Sequence, residues 1–142
     1  MKTLGAAIGG RLLGGEIIEL VGDVGAGKTT LTKGIAVGLA IAEYVQSPSF
    51  TINRVYDGRD NLTLSHYDFY RLNDAGIMAN ELEEVTADPS VITVIEWAEV
   101  VESALQADRL TIKISSLSET TRKLELIAGG TNSRRLIEGL SI

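Results

Sequence analysis

Residues 16–30 read EIIELVGDVGAGKTT and are the most informative part of the chain. The first six letters are mostly apolar and predict a strand. The glycine-rich turn that follows matches the pattern G-x-x-x-x-G-K-[ST] at every fixed position, from Gly22 to Thr29. A helix is predicted from about Lys28 to Ala40. A strand, a glycine-rich loop and a helix in this order are the context of a phosphate-binding P-loop.

Each fixed position of this loop has a physical reason. Glycine permits a positive φ, so the backbone can curl and approach phosphate oxygens closely. The curled loop directs N–H groups at those oxygens, and the N-terminal end of the helix adds positive potential. Lys28 places a cation against the β- and γ-phosphates, and Thr29 offers a hydroxyl to Mg²⁺. We therefore predict a nucleoside triphosphate and Mg²⁺, contacted by Gly22, Asp23, Val24, Gly25, Ala26, Gly27, Lys28, Thr29 and Thr30.

Length and composition exclude several classes of protein. A chain of 142 residues is expected to form one domain, residues 1–142, whose core needs no disulfide. It has no cysteine, which excludes disulfides and thiolate metal sites. The net charge of −6 argues against direct, stand-alone binding of RNA or DNA, which usually takes a basic face. No run approaches the roughly 18 apolar residues of a membrane span. The N-terminus also lacks the pattern of a secretory signal, so a cytoplasmic location is expected.

Further strands and helices are predicted around the P-loop unit. The predicted strands 51–56 and 62–67 are joined by turn-forming residues and are expected to form an antiparallel hairpin. All five residues of the run 91–95 are β-branched, which is typical of a strand buried on both faces. The pattern indicates an α/β fold, a P-loop NTPase-like three-layer sandwich with a mixed parallel and antiparallel central sheet. The predicted strands are 51–56, 62–67, 91–95, 110–114 and 123–127, and the predicted helices are 4–13, 81–85, 97–105 and 133–139.

Two acidic residues stand at predicted strand ends, where a P-loop enzyme needs a carboxylate for its metal and water. Glu96 directly follows the run 91–95, and Asp68 follows the strand that includes His66. Both would lie at the carboxyl edge of the sheet, where open α/β folds bind ligands. Acids also end strands as solvated caps, but the buried character of 91–95 favours the functional interpretation of Glu96. Together with Lys28, these two acids are the candidate catalytic residues.

Three other features allow two interpretations each. His66, the only histidine, fits a packed or hydrogen-bonded strand residue better than a catalyst. Trp97 fits a core anchor better than a stacking partner for a base, although its neighbour Glu96 brings the nucleotide site close. The segment Ser47-Pro48-Ser49 is either an ordinary turn or a switch loop that senses the γ-phosphate, as in GTPases.

The kind of P-loop protein can be narrowed from what the sequence holds. GTPases read guanine with an N-K-x-D element, and the sequence has none. A small-molecule kinase usually has an arginine-rich lid, whereas the arginines of this short chain are scattered. An ATPase is therefore favoured. A small P-loop kinase and a nucleotide-gated binding module that never hydrolyses remain as alternatives.

Four segments, taken together, resemble one family. Over roughly residues 4–128 the chain is similar to the TsaE (YjeE) family, the bacterial ATPases of tRNA threonylcarbamoyladenosine (t6A) synthesis. The resemblance implies hydrolysis of ATP with Mg²⁺, which we expect to be slow alone and stimulated by the partners TsaB and TsaD. It implies that tRNA is met only through that complex, in which TsaD transfers threonylcarbamoyl. The segments are the loop from Gly22 to Thr30, Ser47-Pro48-Ser49-Phe50-Thr51, His66-Tyr67-Asp68-Phe69-Tyr70-Arg71-Leu72 and Ile95-Glu96-Trp97.

The resemblance also implies roles for individual residues. Thr29 and Glu96 would ligate Mg²⁺, and Asp68 would lie by the phosphates or position water. Ser49 and Thr51 would lie in the switch-like loop, and Arg122, placed between the last two strands, would contact the nucleotide.

Two departures from the family pattern bear on these roles. Ser49 stands where the family usually has threonine, which keeps the hydroxyl but is expected to alter how the loop orders. The family also usually has a further segment before the position of Thr3. Because that segment often supplies part of the adenine site, the adenine contacts of this chain are expected to differ.

Overall fold

A six-stranded sheet organises the chain in the computed structural model, which describes residues 1–23, 25–46 and 52–140. The strands are β1 (Ile17–Val21), β2 (Asn53–Asp57), β3 (Thr63–Asp68), β4 (Val91–Glu96), β5 (Leu110–Ser116) and β6 (Arg122–Ala128). The helices are α1 (Lys2–Gly9), α2 (Lys28–Gly38), α3 (Met78–Ala87) and α4 (Thr131–Ile137). Two 3₁₀ segments cover Arg59–Asn61 and Ala98–Ala104.

The sheet is mixed, as the sequence predicts. Its strand order is β2-β3-β4-β1-β5-β6. The four inner strands run parallel, while β2 pairs with β3 and β6 pairs with β5 in antiparallel fashion. The predicted hairpin is the pair β2–β3. Because β1 is an inner strand between β4 and β5, the loop that follows β1 lies at the middle of the carboxyl edge.

Apolar side chains are buried on both faces of the sheet, which completes the predicted three layers. Helices α1, α2 and α4 contribute to the core on one face, through residues such as Leu4, Leu31 and Leu136. Helix α3 and the segment Ala98–Ala104 contribute to the core on the other face, through Leu82 and Val101.

Helices α1 and α2 meet backbone to backbone through glycines. Gly5 and Gly9 of α1 lie against Gly34 and Gly38 of α2. A Cβ atom added at Gly5 would lie 2.5 Å from the carbonyl oxygen of Leu31 and 2.9 Å from the Cα of Gly34. Only glycine allows this approach, so α1 has a closely defined position on the helix that follows the P-loop.

Several element boundaries differ from the predictions. The predicted helix 97–105 is a 3₁₀ segment over Ala98–Ala104, and Trp97 lies before it as the N-cap residue in a left-handed conformation with φ of 58°. Helix α1 ends at Gly9 rather than near residue 13, since the N–H groups of Arg11 and Leu12 bond only three residues back. Helix α3 is longer than the predicted 81–85. No helix in the described ranges combines the length and the apolar character that crossing a membrane takes.

Candidate nucleotide site

The loop after β1 has the backbone conformation that its glycines predict. Gly25 and Gly27 have φ angles of 82° and 114°, in the left-handed region that residues other than glycine rarely adopt. The N–H of Ala26 donates to the carbonyl of Asp23 at 3.0 Å and closes a turn. Gly27 is the N-cap of α2, so the open N–H groups of the first helical turn face the same side as the loop. Val24 lies outside the described residues.

Lys28 is buried at the start of α2 among groups of opposite charge. Its side chain is 6% exposed, and Nζ donates to the carbonyl oxygen of Gly22 at 2.6 Å. Nζ also lies 3.9 Å from Oε1 of Glu96 and 4.0 Å from the centroid of the Trp97 ring. Burial lowers the pKa of Lys28, and the nearby carboxylates, Glu96 first among them, partly oppose that shift. The cation is therefore held by its own loop and by one aromatic face.

The two predicted acids come together because of strand register. Asp68 and Glu96 are the last residues of β3 and β4, and they are directly paired neighbours in the parallel ladder. Both line a cavity of about 440 Å³ beside the P-loop. The N–H of Tyr70 donates to Oδ1 of Asp68 at 2.9 Å and turns the chain away from the end of β3. The cavity is lined by Gly25, Gly27, Lys28, Thr29, Thr30, Asp68, Tyr70, Arg71, Glu96 and Trp97.

Glu96 has a partner that the sequence interpretation did not place in the site. Nε2 of His66 lies 2.7 Å from Oε2 of Glu96, with His66 fully buried and Glu96 3% exposed. His66 and Asp68 are two residues apart on β3, so their side chains point to the same face. That spacing is the signal that could have linked His66 to the site. The interpretation of His66 as a hydrogen-bonded strand residue is correct, but its partner is the candidate metal ligand.

Trp97 contacts both the hydrophobic core and the cavity. It packs against the core beneath the sheet, as predicted, and it also lines the cavity and lies against Lys28. Its ring is tilted against that of Tyr70, with centroids 4.9 Å apart. The left-handed backbone at this residue, uncommon outside glycine, is what turns the indole along the cavity wall.

Comparison with known proteins identifies the family. Residues 1–124 match the family model described as "Threonylcarbamoyl adenosine biosynthesis protein TsaE". The chain belongs to the TsaE family. This family takes part in tRNA threonylcarbamoyladenosine biosynthesis, as the names of its members state.

Curated relatives and a solved structure agree with this assignment. The tRNA threonylcarbamoyladenosine biosynthesis protein TsaE of Bacillus subtilis is 39% identical over 89% of this chain and 78% of its own length. That of Treponema pallidum is 38% identical over 84% of this chain and 87% of its own length. A crystal structure of Bacillus subtilis YdiB superimposes with a TM-score of 0.77 at 34% identity. It covers 95% of this chain and 82% of the YdiB chain.

Other predicted contacts of this TsaE-family chain are not in the cavity lining. Arg122 is the first residue of β6 rather than a residue between the strands, which corrects its expected place. Its Nε donates to the carbonyl of Ala26 at 3.2 Å, so it touches the P-loop backbone. Gly22, Asp23 and Ala26 line a separate recess on the β5 side of the loop. Ser49 and Thr51 lie outside the described residues.

The residues at the cavity fit Mg²⁺ and a triphosphate in their chemistry. Thr29 offers a hydroxyl and Glu96 a carboxylate, which are the hard oxygen ligands that Mg²⁺ prefers. Within the described residues, Oε1 of Glu96 makes no hydrogen bond, so it has lone pairs to spare for a cation. The side chain of Met1 packs over Gly27, so a Cβ there would clash with it as well as strain the backbone. The loop, the start of α2 and the end of β4 thus present amides, a buried cation and a carboxylate to one cavity.

Proposed function

We propose that this TsaE-family chain is a Mg²⁺-dependent ATPase of the cytoplasm that supports a TsaB–TsaD threonylcarbamoyl transferase in tRNA modification. The observation behind the proposal is the meeting of Lys28, Asp68 and Glu96 at a cavity beside a P-loop. Membership of a family named for threonylcarbamoyladenosine biosynthesis supports the pathway. The lack of an N-K-x-D element favours ATP over GTP.

Lys28 and the loop amides would hold the triphosphate. The carbonyl of Gly22 is a neutral partner for the Lys28 cation, and phosphate oxygens are charged acceptors that bind it more strongly. On nucleotide binding Lys28 would therefore exchange Gly22 for the β- and γ-phosphates. As the γ-phosphoryl group leaves, the charge that develops on its oxygens would be stabilised by Lys28 and by the amides between Gly25 and Thr29.

Thr29 and Glu96 would hold Mg²⁺ between them, with the remaining ligands supplied by phosphate and water. The bound ion supplies charge neutralisation at the phosphates. Asp68, beside Glu96 at the end of the neighbouring strand, would orient the attacking water and accept a hydrogen bond from it. With positioning and electrostatics as the main contributions, turnover by the chain alone is expected to be slow.

The test is release of inorganic phosphate from ATP by the full chain, measured alone and with TsaB and TsaD. Stimulation by the pair, absent in Lys28→Ala, is the expected result. Phosphate appearing on a small acceptor instead would assign the chain to the P-loop kinases. Nucleotide-dependent docking on the pair without phosphate release would make it a binding module.

A further inference from the structure

The side chain that touches Glu96 most closely is that of His66, in the middle of β3. The register pairs His66 with Val94 and Asp68 with Glu96, so the histidine lies one step below the two acids on the same face. Its Nε2 lies 2.7 Å from Oε2 of Glu96, and both side chains are nearly inaccessible to water. A contact of this length between buried groups is a strong hydrogen bond.

The surroundings of the imidazole assign its tautomer. Nδ1 of His66 has no hydrogen-bond partner among the described residues. A hydrogen on Nδ1 would be a buried donor without an acceptor, whereas a bare Nδ1 leaves only an unused lone pair. The arrangement therefore favours the tautomer that bears its hydrogen on Nε2 and donates it to Glu96.

This donor occupies one carboxylate oxygen and leaves the other. Oε1 of Glu96 lies on the side of Lys28, 3.9 Å from Nζ, which is beyond a hydrogen bond. The terminal torsion of a glutamate is broad, so an unrestrained carboxylate would sample many orientations. Without His66, Glu96 would be free to turn toward Lys28 and form a direct ion pair. That pair would engage both the metal-binding oxygen and the phosphate-binding cation.

We propose that His66 is a positioning residue, which holds Glu96 so that Oε1 faces the cavity for Mg²⁺. The inference rests on the proposed function, since it takes Glu96 as the metal ligand. Groups that orient metal-bound carboxylates and histidines in this way typically change metal affinity about 10- to 100-fold when they are removed.

The test compares three substitutions at His66 with one control. His66→Gln keeps an N–H donor near the position of Nε2. His66→Leu removes the donor, and His66→Asn keeps a polar group that is too short to reach Glu96. The control is Thr93→Val on β4, because Thr93 is also fully buried with a hydroxyl that lacks a partner among the described residues.

The measurement is the affinity of the full chain for a non-hydrolysable ATP analogue, with Mg²⁺ varied from none to saturating. We expect the Mg²⁺ concentration for half-maximal tightening to rise about 10- to 100-fold in the leucine and asparagine variants and less than about threefold in the glutamine variant. Thr93→Val should follow the parent at every Mg²⁺ concentration. Equal Mg²⁺ dependence in parent, leucine and asparagine variants would overturn the inference.

Nitrogen NMR of the parent provides a second readout that needs no nucleotide. The chain has one histidine, so its ring gives a single set of signals. Protonated Nε2 and bare Nδ1 are expected, and a hydrogen on Nδ1 with bare Nε2 would overturn the inference even if every variant misfolded. If the parent binds no nucleotide, the proposed function fails instead, and the NMR result still decides the hydrogen bond.

Discussion

Two buried glutamates at opposite edges of the sheet differ in how their charges are satisfied. Glu16, just before β1, accepts hydrogen bonds from the N–H groups of Leu13 and Gly14 at 2.8 and 2.7 Å. It also forms a 2.7 Å ion pair with Arg135. Glu96, at the end of β4, has a single close donor on its carboxylate among the described residues, Nε2 of His66.

The difference separates a structural charge from a binding charge. A buried carboxylate costs several kcal/mol of desolvation, and Glu16 recovers that cost through three donors around both oxygens. Around Glu96 the recovery is incomplete, and the lysine nearby has its pKa lowered by burial. Glu96 therefore has room for a metal ion and Lys28 for a phosphate, and both line the same cavity. Substitutions at the amino edge of the sheet are therefore expected to change the stability of the fold, and substitutions at the carboxyl edge to change ligand binding.

The largest effect is expected at Lys28. Replacing it with alanine removes the only lysine of the P-loop, so affinity for a fluorescent ATP analogue should fall about 100-fold or more, as for loss of a charge-assisted hydrogen bond and a nearby charge. Lys33→Ala is the matched control, because Lys33 lies on the same helix and contacts Tyr44 at 3.3 Å instead of the cavity. Equal losses in both variants would place the phosphates elsewhere.

The next effect is the contrast between the two glutamates themselves. Glu16→Gln should lower the free energy of unfolding by about 3 kcal/mol, since an amide cannot accept at both positions and leaves a buried donor unpaired. Its ATP binding should match the parent. Glu96→Gln should change stability by less than about 1 kcal/mol, because it loses one charged partner but relieves desolvation. It should lose hydrolysis more than nucleotide binding.

Denaturant unfolding and phosphate release, measured on both variants, check this pair. The comparison would break if Glu96→Gln were the more destabilised protein or if Glu16→Gln lost hydrolysis while remaining folded.

A smaller effect is expected at the contact between helices α1 and α2. Gly5→Ala places a methyl group within 2.5 Å of the Leu31 carbonyl, and overpacking of this kind typically costs about 2 kcal/mol. Gly10→Ala is the control, because a Cβ there would come no closer than 3.4 Å to its nearest atom, the carbonyl oxygen of Ala6, and its φ of −67° suits any residue. Thermal melting should lower Tm in the first variant well beyond the second. Similar Tm values in the two variants would mean that the close contact of α1 with α2 at Gly5 does not contribute to stability.

The smallest effect is at Asp108, on the amino-edge side. The hydroxyl and N–H of Ser133 hold the pKa of Asp108 below its usual value, so its contribution to stability is present above pH about 4. That contribution is lost as the pH falls through the lowered pKa. Asp108→Ala should cost about 1 kcal/mol near neutrality, as for a lost helix cap, and the difference from the parent should shrink in acid. If the difference in stability between Asp108→Ala and the parent did not depend on pH, the charge of the Asp108 carboxylate would not be its cause.

The sequence predicted those parts of the site that depend on local pattern. The P-loop follows from the spacing of its glycines and Lys28, and the meeting of Asp68 with Glu96 follows from two strand ends at one edge. The spacing of His66 and Asp68 could have placed His66 on the face of the site, but its hydrogen bond to Glu96 depends on the register between β3 and β4, which the sequence does not show. Trp97 was predicted to be a core anchor close to the nucleotide site, but its contact with Lys28 could not be predicted, since its left-handed backbone leaves no signature in the sequence. The close contact of α1 with α2 through glycines was not predicted either, because it depends on how the two helices pack.

Calorimetric titration of the full chain with ATP, with and without Mg²⁺, tests whether the carboxyl edge is a nucleotide site. We predict saturable binding of one ATP per chain that tightens with Mg²⁺, and loss of that tightening in Glu96→Gln but not in Glu16→Gln. Absence of saturable binding, or tightening by Mg²⁺ that survives in Glu96→Gln, would contradict the assignment of these two glutamates.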